Sequence, residues 1–189
     1  AIDRNGSTAL MKAAAGGQVA IIEKLVERGA QHALMDAHKM SALHHAAHQG
    51  QADAIRVLVR VGSSVDTRDG KDWTPLMHAA DQGHGSATEA LLEMGANPLL
   101  STEDTANIAL DFAWDPQVRR ALRLAMKRAK ALERAKIEAE QAQQMAEMQA
   151  EYDLNQAAQA AVNEMLKDEA LVENLRASFN KFDEDGGGS

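Results

Sequence analysis

The chain has 189 residues and a formal net charge of −8, room for one ordinary domain and an extension. It contains no cysteine, which excludes disulfides and thiolate metal sites and is compatible with a reducing compartment. No apolar run approaches a membrane span and no secretory leader is visible, so no membrane partner is expected.

In chain order, the first predicted elements are repeats. STALMKAAAGGQ (7–18), MSALHHAAHQGQ (40–51) and WTPLMHAADQGH (73–84) align without a gap at a spacing of 33 residues. Thr8, Ser41 and Thr74 open the units, and Leu10, Leu43 and Leu76 follow at one offset. Gly17, Gly50 and Gly83 close the first half of each unit. Leu25, Leu58 and Leu91, then Gly29, Gly62 and Gly95, mark the second half. Asp3, Asp36 and Asp69 stand five residues before each Thr or Ser. A fixed period of this length predicts a solenoid of units that cannot bury their apolar faces alone. Within a unit the order is turn, helix, tight turn, helix, loop. Thr74-Pro75 shows the start of the first helix: Thr caps it, and Pro fits where its missing N–H costs nothing.

These units resemble the ankyrin repeat family over about residues 3–122. Unit three keeps Thr74, Pro75, Leu76, Ala79, Ala80, Gly83, His84, Leu91, Leu92, Gly95, Ala96 and Asn97 of the family pattern. Lys39 and Asp72 replace the turn glycine, which predicts less tight turns, and Met11 and Met77 replace the motif histidine. The resemblance implies an all-α ankyrin-repeat solenoid with three regular units plus a shortened C-terminal unit, occupying 1–122. It also implies a surface that binds other proteins. By repeat position that surface comprises Lys39, Met40, Lys71, Asp72 and Trp73 on loop tips, and Lys12, His45, His48, Gln49, His78, Asp81 and Gln82 on the first helices. Trp73 is expected to be its exposed aromatic anchor.

The shortened unit, NIALDFAWDPQVRRAL (107–122), turns at Trp114-Asp115-Pro116, with Asp115 the N-cap and Pro116 the first helical residue. A long charged helix over 117–152 follows, free of Gly and Pro and rich in strong helix formers. It is expected to stand solvated or to pair as a coiled coil. Its basic residues concentrate between 119 and 136, where they suit an acidic surface. The lack of interleaved aromatics argues against nucleic acid. Asp153-Leu154-Asn155 is expected to interrupt it, leaving 153–189 as an amphipathic helical segment and a loop.

That loop, in LRASFNKFDEDGGGS (175–189), resembles the start of an EF-hand. Asp183 and Asp185 match ligand positions one and three, Gly188 the sharp turn, and Ser189 position seven, which ligates through its carbonyl. The bidentate glutamate of position twelve is not within the 189 residues, so no cofactor is expected here and calcium only in a longer parent. The chain opens on Ala1 and stops inside this motif, which gives the expectation of a piece of a longer polypeptide.

Chemistry is not expected. His44, His45 and His48 form HHxxH, but the zinc-protease pattern needs a glutamate beside the first histidine. No phosphate loop or triad is apparent. The resulting expectation is a non-enzymatic scaffold for protein–protein interaction. Its resemblance to ankyrin-repeat and EF-hand proteins extends this to a cytoplasmic or cytoskeletal setting, with a structural role in a large cytoskeletal or ciliary assembly such as the axoneme. The alternative is a calcium-responsive adaptor.

Overall fold

The computed structural model describes residues 2–184, without the side chains of 182–184. Among the described residues nine helices follow in order: α1 (Ala9–Ala15), α2 (Val19–Glu27), α3 (Ala42–His48), α4 (Ala52–Arg60), α5 (Pro75–Asp81), α6 (Gly85–Glu93), α7 (Ala109–Phe112), α8 (Pro116–Met165) and α9 (Glu169–Glu184). They form two units that divide at Glu133.

The first unit is a stack of helix pairs. α1, α3, α5 and α7 pack successively in one layer, and α2, α4 and α6 in a second. α1, α3 and α5 each start with a reciprocal cap. The hydroxyl of Thr8, Ser41 or Thr74 accepts from the amide three residues on, and the side chain there accepts the capping residue's own amide. In α3 that side chain is His44, through Nδ1; in α1 and α5 it is the sulfur of Met11 or Met77. Methionine thus fills the acceptor role of the motif histidine, which is why its replacement leaves the helix start intact.

The stack is held by small and branched side chains. Leu10, Leu43 and Leu76 are at most 2% exposed, and Ala46, Ala47, Ala79 and Ala80 fully buried, so neighbouring inner helices approach closely. Ile22, Ile55, Leu58 and Leu91 fill the space between layers. Thr88 stands one period after Ile55 and is fully buried; its hydroxyl donates to the His84 carbonyl at 2.9 Å. The first turns of α8 add Val118 and Leu122, both fully buried. Asp115 caps α8 as expected, accepting from the Gln117 and Val118 amides at 2.9 Å.

The turns do not loosen where glycine is missing. Gly6, Lys39 and Asp72 adopt the same left-handed conformation, with φ of 75°, 58° and 63°. The hairpin tips bond from unit to unit, Ala37 N to Asn5 O at 3.1 Å and Gly70 N to His38 O at 2.8 Å; these inter-unit bonds fit the retained geometry. A left-handed non-glycine residue costs about 1 kcal/mol, partly offset by the extra entropy a glycine would lose on folding. Lys39→Gly should therefore raise the unfolding free energy by about 0.5 kcal/mol, read as a higher Tm.

The second unit begins at Arg134. α8 runs through Asp153–Asn155 to Met165, so the expected interruption is corrected. Asp and Asn are tolerated there because their side chains face solvent, and Asp153 accepts from Gln149 one turn earlier at 2.8 Å. The break comes at 166–168, where Asp168 accepts from the Ala170 and Leu171 amides at 3.1 Å and starts α9. Lys136 and Glu140, one turn apart, form an ion pair at 3.9 Å. Among the calcium-loop residues, the side chain of Asp183, and Asp185 and Ser189 entirely, lie outside the described residues.

Candidate partner-binding face

The hairpin tips and first helices are tied together by one repeated carboxylate. Oδ1 of Asp3, Asp36 and Asp69 accepts from amides two and four residues on, closing each tip at 2.8–3.0 Å. Oδ2 takes the side chain nine residues on: Lys12 at 2.9 Å, His45 at 2.9 Å and His78 at 2.8 Å. Burial works to raise the Asp69 carboxyl, but the Trp73 amide, His78 and the Lys71 amide outweigh it and hold it below its ordinary value. Asp36 is held down likewise, against burial, by the Met40 amide, His45 and the His38 amide.

The expected surface residues therefore separate. Lys12, Lys39, Gln49, Lys71 and Gln82 are exposed, and Met40, His45, His48, Asp72 and Asp81 partly so. His78 is not on the surface: it is 6% exposed, with its ring 5.2 Å from Trp73 and 5.7 Å from both His44 and His48. Burial depresses its pKa, opposed by Asp69, so it donates to the carboxylate as a neutral ring. Its cover comes from Trp73 of its own hairpin and from His44 and His48 of the preceding unit, which a single unit does not show.

Trp73 is likewise no free anchor. It is half-buried, its ring 4.4 Å from Phe112 of α7. Its carbonyl accepts from His44 Nε2 at 3.1 Å and its amide donates to Asp69. It thereby joins units two, three and four, leaving one face beneath Lys71, whose Nζ lies 5.8 Å from the ring. His44 is fully buried with both ring nitrogens engaged, so it cannot pair with His48 on a metal.

Sequence reasoning missed Trp114 as a surface residue. It is 68% exposed, and its Nε1 donates to the Asp81 carbonyl at 2.9 Å. His84 does the same one unit earlier, to the His48 carbonyl at 3.1 Å. Both rings lie over the glycine that ends the preceding first helix: a Cβ at Gly83 would come within 2.7 Å of the Trp114 ring, and one at Gly50 within 2.8 Å of His84. The alignment carried no signal for it, because His84 stands 36 residues from His48 whereas Trp114 stands 33 from Asp81. Gly83→Ala, at φ 71° and against this ring, should cost about 2 kcal/mol by thermal unfolding. Gly29→Ala has φ 82° but open space, so it should cost only the strain, about 1 kcal/mol.

Residues 10–102 match the family described as Ankyrin repeats (3 copies). This segment is an ankyrin-repeat array. The shortened ankyrin unit built from α7 and the start of α8 lies beyond the match and rests on the structure. No curated protein matches the chain. Ankyrin repeats mediate binding to other proteins, and the array is a protein–protein interaction module.

Proposed function

We propose that the chain is a non-enzymatic scaffold that docks a protein partner on the hairpin tips and first helices of its ankyrin array. The carrying observation is the carboxylate device that fixes each tip to the helix behind it. It holds Lys39, Lys71, Gln49 and Gln82 open to solvent on a preformed frame, which lowers the ordering cost of binding. The finer version is a structural component of a cytoskeletal or ciliary assembly such as the axoneme, in a cytoplasmic setting. It rests on the resemblance to ankyrin-repeat and EF-hand proteins and on the long helix.

The test uses the full chain as bait beside a variant carrying Lys39→Ala, Gln49→Ala, Lys71→Ala and Gln82→Ala. These side chains are exposed, so the fold should survive, as circular dichroism will check. Partners held by the parent chain should be lost from the variant. An unchanged set of partners, or none with either chain, would overturn the docking face. Recovery of axonemal proteins would support the finer version, and their absence would remove it.

The alternative reading is a calcium-responsive adaptor whose EF-hand loop starts at Asp183 and is completed beyond Ser189. The spacing of Asp183, Asp185 and Gly188 favours it. In a polypeptide extended past Ser189, calcium should change partner affinity, and Asp183→Ala with Asp185→Ala should abolish the change. Affinity indifferent to calcium excludes this reading.

A further inference from the structure

The second layer of the array widens at its last step. α2 packs against α4 and α4 against α6, but the start of α8 stands off from α6. An open groove of about 710 Å³ lies between them. Leu92 and Pro98 line one side of it, and Ala121, Leu124, Ala125 and Ala129 the other. All of these residues lie in the first unit, and none belongs to the hairpin-tip face. Ala121, Ala125 and Ala129 stand one turn apart on α8, so their methyl groups share one side of the helix and leave space that larger side chains would fill. Leu124 adds a large apolar group beside them, 50% exposed.

The two walls carry opposite charge. Glu89 and Glu93 stand one turn apart on the α6 wall, and Arg120 and Arg128 two turns apart on the α8 wall, all four exposed. These charges do not neutralise one another. Among the described residues Glu93 pairs with Arg56 at 3.1 Å, while Glu89, Arg120 and Arg128 enter no ion pair. An apolar groove of this form takes an amphipathic helix, whose apolar residues three and four apart enter it. From Gln117 to Ala129 the α8 wall rises about 18 Å, or about three helical turns.

We propose that the occupant is a helix of another protein, about three turns long, with an apolar face between flanks of opposite charge. Its basic flank lies along Glu89 and Glu93, and its acidic flank along Arg120 and Arg128. Complementarity of this kind selects the partner more than it adds affinity. A nucleic acid or an anionic lipid surface would bring phosphates against both glutamates, so neither is the occupant.

Fluorescence anisotropy with synthetic amphipathic peptides of about four turns tests this on the whole chain. Three peptides share the same leucine face and differ in their flanks: one of lysine and one of glutamate, both of lysine, or both of glutamate. The mixed peptide should bind at least about tenfold tighter than either of the others. Leu124→Asp, at an exposed position, should abolish that binding with the circular dichroism spectrum unchanged. Glu89→Lys with Glu93→Lys makes both walls basic, and the preference should move to the glutamate-flanked peptide. The variant carrying Lys39→Ala, Gln49→Ala, Lys71→Ala and Gln82→Ala should bind the mixed peptide as the parent does, which separates failure of the hairpin-tip face from failure of the groove. Equal affinity for the three peptides, no binding at about 1 mM, or binding indifferent to Leu124→Asp overturns the proposal. So does binding of anionic vesicles in place of the peptides. A mass above the 20.3 kDa of one chain that returns to it in Leu124→Asp would put a second copy in the groove and overturn it too.

Discussion

Lowering the pH from 6.5 to 4 should remove about 3 kcal/mol from the stability of the array through His44. Burial is the main cause: it pushes this ring down from 6.5 to about 4, against the Trp73 carbonyl, which favours the protonated form. A depressed histidine binds fewer protons folded than unfolded. Its contribution is therefore fully present above 6.5, lost as the pH falls toward about 4, and flat below that. His78 is depressed by burial too and adds to the same slope. Asp36 and Asp69, held below their ordinary 3.8, contribute stability above that value that is lost only as the pH falls through their lower folded pKa values. Thermal unfolding across pH 7 to 4 should show a falling Tm, and His44→Gln, which keeps a capping-box acceptor, should flatten much of the decline. A Tm constant from pH 7 to 4.5 would contradict this account.

Trp73→Ala should lower the unfolding free energy by about 2–3 kcal/mol, the lower end for tryptophan truncation because the ring is only half-buried. The ring's contacts with Phe112 and His78 would be lost, weakening the interface between the third and fourth units most. Trp73→Phe keeps an aromatic ring there and should cost less than about 1.5 kcal/mol. Urea unfolding midpoints separate the two; an unchanged midpoint for Trp73→Ala would refute the packing role. Loss of partner binding in Trp73→Ala alone therefore reports on the fold, while the exposed Lys39, Gln49, Lys71 and Gln82 report on contact.

The 33-residue period and the cap residues made the solenoid legible, because Thr8, Ser41 and Thr74 act locally and their partners lie three residues away. What depended on contacts between units was not legible. His78 and His45 share a repeat position, yet Trp73 and its own neighbours bury the first and leave the second 25% open. The open surface of Trp114 was hidden by the shortened turn, which breaks the alignment where its ring replaces His84's role. Further along, weak disfavour for helix at Asp153 and Asn155 was outweighed by the strong formers around them.

The protein's two tryptophans, Trp73 and Trp114, both stand where the third and fourth units meet. Native emission is therefore an optical probe of one end of the array, blind to melting of the first unit. Far-ultraviolet circular dichroism averages over all helices, α8 included. Coincident curves from the two signals would mean that the array loses its order in a single step. An earlier emission change would mean that it unzips from the fourth unit inward.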